Sequence, residues 1–276
     1  MRLSIKRRRP ALTRPAGTPL ALEVSDLASV GSGPAARFLG RFALPALCAE
    51  LDQAGVLPAL RTRGYDPIVR IEIGESEHRL LVTASDGREL LIDLRMTEEA
   101  LPVSEPALRA RGIEVLSVLA VEWLSLQDPR AVFTRERPRL PGQTHPGLGL
   151  GRQLYSRVLG WAAGWGKDGL VNVPAYFHNA KFYAPPFAFL DSAEQGRFEA
   201  LRRDLAGVPV AEASAALEAG RVVDAATSEP VTWSPGDMLA ALSPPVLEYL
   251  ASPEYAGAVA AARDAQRFRL AEGAPA

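Results

Sequence analysis

Residues 146–191 read PGLGLGRQLYSRVLGWAAGWGKDGLVNVPAYFHNAKFYAPPFAFLD, and the fold turns on how this stretch changes period. Gly147, Gly149 and Gly151 alternate ahead of a helical pattern in which Leu154, Val158, Trp161 and Ala162 recur at three- and four-residue spacing. Gly164 and Gly166 end that helix. Residues 168–173 then form a short buried strand, stopped by Pro174. Glycines before a helix let a ligand approach the backbone without Cβ clashes, and the N–H groups of the turn and of the first helical turn can converge on an anion. A pyrophosphate is a natural guest. The candidate binding residues are therefore Gly147, Leu148, Gly149, Leu150, Gly151 and Arg152.

Two familiar phosphate-binding patterns do not fit. A nucleotide-triphosphate P-loop requires Lys followed by Ser or Thr after its last glycine, and Arg152-Gln153 stands there instead. A dinucleotide fold places a strand directly before glycines spaced GxGxxG, a spacing that 147–151 lacks.

Working outward, residues 35–63 read as helix with Leu39, Phe42, Leu47, Leu51 and Leu57 as core positions, punctuated by Gly64 and Pro67. Three short segments rich in branched residues follow, 68–73, 79–83 and 89–94, with a tight-hairpin signal at Ser85-Asp86-Gly87. They predict an antiparallel meander. Residues 98–108 carry two prolines and predict a loop or short helix. The run 113–126 is apolar enough for a strand covered on both faces. The irregular segment 130–146 is too long for a mere connection. Residues 193–206, 211–220 and 237–270 predict mostly helix. The expected fold is thus α/β (α+β): a mixed, mainly antiparallel sheet flanked by helices, spanning 21–191, with a helical C-terminal extension over 192–276 packed on the same domain. Residues 1–20, basic at Arg2, Lys6, Arg7, Arg8, Arg9 and Arg14, predict a disordered solvated tail.

A formal net charge of −1 argues against whole-protein affinity for nucleic acid, which comes mainly from phosphate neutralisation. Cys48 is the single cysteine, so no intrachain disulfide can form, and its apolar setting predicts an inert thiol. No apolar run reaches the roughly 18 residues of a membrane span, so a cytoplasmic protein without a membrane partner is expected. With one cysteine and three histidines, and neither HExxH nor CxxC, no metal site is expected. A GxSxG elbow is missing as well.

The stretch GLGLGRQLYSRVLGWAAGWGKDGLVNV followed by NAKFYAPPFAFLD resembles the central region of GNAT (GCN5-related) N-acyltransferases, in a divergent bacterial form. In that family a strand, a glycine-rich pyrophosphate turn, an amphipathic helix, a strand and an Asn/Ala/Tyr-containing helix follow in order. Gly149, Gly151 and Leu154 fall on the pyrophosphate motif, and Asn179, Ala180, Tyr183 and Phe187 on the signature of the next helix. The chain departs from the family at Pro146, where Gln or Arg is usual, in the spacing of Ala180 and Tyr183, and in the long segment 130–146. The resemblance implies a GNAT-like core, acetyl-CoA or another acyl-CoA as substrate, and an amine as acceptor. It implies Asn179 as a further cofactor contact and Tyr183 as the group that protonates the departing thiolate.

Glu122, in the strand before the turn, falls where the resemblance implies a base, acting directly or through water, and an inward-facing carboxylate there would have a raised pKa. His145 and His178 abut the two motifs and are candidate bases or substrate contacts. Arg135, Arg137, Arg139 and Arg152 could meet ligand phosphates. The expected function is acyl transfer from acyl-CoA to an amine. The alternative is a non-catalytic CoA-binding, anion-binding or protein-interaction module.

Overall fold

A computed structural model describes residues 36–271; the basic segment 1–20 lies outside the described residues. The chain folds as a mixed α/β structure around a seven-stranded, mostly antiparallel sheet. The expected α+β class is the one found.

The first helical reading divides in two. Pro45 enters the first turn of α1 (Leu44–Gln53), where a missing N–H is harmless, and Gly55, at φ 75°, separates it from α2 (Val56–Thr62). Leu47, Leu51, Val56, Leu57 and Leu60 are buried on the sheet. Cys48 sits half-buried at this layer, and burial pushes its thiol pKa up.

The meander is present as β1 (Ile68–Ile73), β2 (His78–Thr83) and β3 (Leu90–Pro102), each antiparallel to the next. β3 runs further than the prolines of 98–108 suggest. It pairs along the whole of β4 (Val115–Leu126), and Pro102 falls at the strand end opposite Val115, where a lost donor matters least. Helix α3 (Pro106–Ala110) fills the connection. Leu80, Val82, Leu94, Met96, Leu119 and Val121 face the helices α1, α2 and α4 (Gly151–Gly164); Leu116, Val118 and Ala120 face the opposite way.

Beyond α4 come β5 (Gly169–Asn172), α5 (Phe177–Tyr183), β6 (Ala188–Phe189), α6 (Ser192–Asp204), α7 (Val210–Glu218) and β7 (Val222–Asp224). The C-terminal part departs from the mostly helical expectation. Met238–Ala241 forms β8, inserted between β5 and β6, before α8 (Pro244–Leu250), α9 (Pro253–Asp264) and β9 (Phe268–Leu270). The sheet order is β1-β2-β3-β4-β5-β8-β6, and β7 pairs with β9 in a separate ribbon. Helices α3, α8 and α9 cover the second face over β4, β5 and β8, burying Leu108, Val246, Tyr249 and Val259 against Val118 and Val171. No helix among the described residues is long and apolar enough to cross a membrane.

Candidate functional site

β4 and β5 are the parallel pair of this sheet, and their pairing is short. It runs from Val118↔Gly169 to Val121↔Asn172 and stops. The next residue of β4, Glu122, has no partner on β3 either, because Arg95 pairs with Trp123 and Met96 with Val121. Glu122 is thus the extra residue of a β-bulge, a device that bends its strand. From there to Leu126, β4 continues beside β3 alone, so the hydrogen-bond ladder is open between the carboxyl ends of β4 and β5.

The glycine turn stands at this opening. Leu148 donates its N–H to the Leu126 carbonyl at 3.3 Å, and Asp128 to the Pro146 carbonyl at 2.8 Å, so 146–148 returns along the end of β4. The first bond of α4 is Leu154 N–H to Leu150 O, and the N–H groups of Gly149, Leu150, Gly151, Arg152 and Gln153 donate to no group among the described residues. These are the orphan donors of a helix start, together with the positive end of its dipole. Of the three glycines only Gly149 has positive φ, at 69°. Arg152 is exposed, and its side chain makes no hydrogen bond or ion pair among the described residues.

The long segment before the turn is held in place by side chains within it and beside its start. Arg137 Nη2 donates to the Gly147 carbonyl at 2.5 Å, Arg139 Nε to the Gln143 carbonyl at 2.7 Å, and Gln127 Nε2 to the Leu90 carbonyl at 3.0 Å. Tyr65 Oη donates to Asp128 Oδ1 at 2.6 Å. The segment reaches across to the far side of the opening, where Gly142 meets the ring of Tyr176. Arg137 and Arg139 therefore brace the loop, while Arg135 is exposed. His145 lies half-buried in the returning arm.

Tyr183 comes to the opening from α5. Its ring lies edge-to-face with Tyr155 of α4 at 5.0 Å, and Phe187 packs on both. The two hydroxyls are close enough to bear on each other's ionisation. Asn172, at the end of β5, donates from Nδ2 to Tyr155 Oη at 3.5 Å. Burial raises both tyrosine pKa values, most strongly that of Tyr155, while the nearby Tyr155 hydroxyl partly opposes the rise at Tyr183. Both are phenols, not phenolates, at neutral pH. Tyr155 and Asn172 escaped the sequence reading. A polar residue closing an apolar strand is the signal that could have found Asn172.

The other candidates go elsewhere. His178 is buried between α5 and α7, its Nδ1 hydrogen-bonded to Ser214 Oγ at 2.8 Å and its ring stacked on Tyr176 at 5.3 Å. Desolvation depresses its pKa to about 4, so it is neutral. Asn179 uses its Oδ1 to accept the Tyr176 N–H at 3.2 Å, capping α5. Glu122 belongs to the charged side of the sheet. Burial raises the pKa of Glu77, Arg95 opposes this, and the charge of Glu122 adds to it. Around them Asp93, 4 % exposed, takes Arg79 in a two-pronged pair of 2.7 and 3.0 Å. The structure thus places the glycine turn and Arg152 at the start of α4, packs Tyr183 on Tyr155 one turn into that helix, puts Arg152 on a shallow cleft shared with Gln53 and Arg157, leaves Glu122 at the charged side of the sheet, and holds His178 and Asn179 in packing and capping roles.

No three His, Cys, Asp or Glu side chains among the described residues are placed to hold one metal ion. Compared with family models, with curated proteins and with solved structures, the chain has no match.

Proposed function

We propose that the protein is an acyl-CoA-dependent N-acyltransferase. The observation that carries this reading is a convergence: a strand, a turn with five free N–H groups, a helix and a parallel strand succeed one another, and the two strands part where the turn stands. The succession is that of the GNAT family. A pyrophosphate on the Gly149–Gln153 amides with Arg152 beside it would send the rest of a CoA molecule toward the opening. In the reaction the amine nitrogen attacks the thioester carbonyl, the C–S bond breaks, the amine loses a proton and the thiolate gains one. Tyr183, protonated and at the opening, is the donor to the thiolate. Glu122, at the bulge, is the proton acceptor for an amine approaching from the charged side of the sheet.

Thermal unfolding with acetyl-CoA and longer acyl-CoAs, followed by thiol release across a panel of amines, tests the reading. Stabilisation with turnover supports transfer. Stabilisation without turnover selects a non-catalytic CoA-binding module, which the withdrawal of His178 into the α5–α7 contact favours. Absence of any stabilisation by CoA compounds sinks both.

A further inference from the structure

The seven-stranded sheet ends on two strands of unequal kind. β6 spans only Ala188–Phe189 and follows Pro185-Pro186, so it offers a neighbour almost no free ladder. Short edge strands and edge prolines are the usual protection against strand-to-strand association. β1, at the other edge, has six residues, Ile68-Val69-Arg70-Ile71-Glu72-Ile73, with no proline and no lysine, and its register with β2 is unbroken.

The β1–β2 hairpin fixes which backbone groups of this edge point outward. Gly74 donates its N–H to the Glu77 carbonyl at 2.9 Å, which makes these two a hydrogen-bonded pair. Along an antiparallel ladder such pairs alternate with non-bonded ones. Ile68, Arg70 and Glu72 therefore bond to β2, while Val69, Ile71 and Ile73 turn their N–H and C=O groups away from it. These outward groups meet no partner among the described residues. The side chains sort the same way. Val69 and Ile71 belong to the core layer of α1 and α2, and Arg70 and Glu72 stand on the charged face. Arg70 is exposed, and its side chain makes no hydrogen bond or ion pair among the described residues.

We propose that β1 is the docking edge for a second copy of this chain, joined antiparallel across a two-fold axis at Ile71. This register alone suits the sequence. It uses all three outward residues of each copy: Ile71 meets its own counterpart and Val69 meets Ile73, each pair exchanging two N–H···O bonds. It also sets Arg70 opposite Glu72 of the partner subunit, twice per dimer, at non-bonded positions where side chains stand closest. Sliding the partner by two residues puts Arg70 against Arg70 in one direction and Glu72 against Glu72 in the other. Sliding it by one sets outward groups against inward ones and swaps the faces.

The pairing asks nothing of a ligand, so the test uses the ligand-free full chain and stands apart from the acyl-CoA reading. Sedimentation equilibrium up to about 1 mM is expected to show monomer and dimer in exchange. Ile71→Pro removes an N–H that β2 does not use and should raise the dimer Kd at least about 10-fold. Arg70→Glu sets like charges opposite each other at both contacts and should raise it about 10-fold. Glu72→Arg should do the same; it gives up an in-chain pair with Arg79 at 3.1 Å, of the half-exposed kind that adds little to stability. Mixing the Arg70→Glu and Glu72→Arg chains should restore wild-type association, because both contacts of the mixed dimer then join opposite charges. A damaged fold would not recover on mixing. The charge variants carry the test if the proline variant does not fold. A wild-type chain that stays monomeric overturns the proposal. A dimer that Ile71→Pro and Arg70→Glu both leave intact overturns it too, as does weakening by both charge variants without recovery in their mixture.

Discussion

Gly142 lies against the ring of Tyr176 so closely that a Cβ would stand 2.6 Å from Cε2 and 2.7 Å from Oη. This contact joins the long segment after β4 to the residue that precedes α5, on the other side of the opening. The segment is thereby a bridge from the end of β4 to the start of α5.

Gly142→Ala should consequently be among the more damaging single-methyl changes in this chain. The residue sits at φ 76°, so any Cβ incurs about 1–2 kcal/mol of backbone strain, before the ring is displaced. Gly149→Ala is the matched control: φ is 69°, and no described atom lies within 4 Å of its Cβ position. Urea unfolding of both variants separates strain from contact. The 142 variant should be less stable by more than the 149 variant; equality would mean that the bridge contact holds nothing.

The His178–Ser214 pair makes stability pH-dependent in a stated direction. His178 has a folded pKa near 4, below the usual value of 6.5, because the buried imidazole cannot be charged cheaply. The unfolded chain binds the proton more readily, so the contribution is complete above pH 6.5 and is lost as pH falls from there toward 4. The full loss is on the order of 3 kcal/mol. His78, whose pKa is also lowered by burial, acts in the same direction. Urea midpoints of wild type and His178→Gln between pH 7.5 and 4 should converge as the medium becomes acidic. Parallel curves would show that His178 does not titrate in this window.

How much of this was legible beforehand differs by element, for physical reasons. The meander was readable because alternation of apolar residues is local, and the turn–helix–strand succession was readable because its glycines and its change of period are adjacent. β8 was not. Met238-Leu239-Ala240-Ala241 is made of good helix formers, is too short to show a period, and pairs with β5, far back in the chain. The site was legible in its backbone and not in its side chains. Whether His178 lines an opening depends on Ser214 in α7, and whether Glu122 points inward depends on a bulge defined by the register of β3 and the end of β5. Tyr155 gave no warning, since a half-buried tyrosine on an amphipathic helix has many uses.

Tyr183→Phe tests the proton donor of the proposed transfer. Its hydroxyl lies close to the Tyr155 hydroxyl, and burial keeps it protonated. If it protonates the thiolate, the Phe variant lowers kcat by about 100-fold with little change in KM, the size of a positioned proton donor. CoA binding measured by titration stays near wild type. A kcat within about 2-fold of wild type would remove Tyr183 from the chemistry and pass the proton to solvent.

The turn itself offers the sharpest contrast between fold and ligand. At Gly151 an added Cβ makes an ordinary 3.8 Å contact with Leu126 Cδ1, and φ is not positive. The fold therefore does not require glycine there, and Gly151→Ala should be neutral or stabilising by up to about 0.5 kcal/mol in the first helical turn. A ligand phosphate seated on the free N–H groups would require it, because a Cβ intrudes on the anion. Gly151→Ala should then leave the melting temperature within about 1–2 °C of wild type while raising the Kd for CoA about 10-fold or more. Arg152→Ala, at an exposed side chain without a partner among the described residues, should likewise spare the fold, and should cost about 3- to 10-fold in affinity at low salt and less at high salt. Unaltered CoA affinity in both variants would mean that the alternating glycines serve only to close the turn on β4.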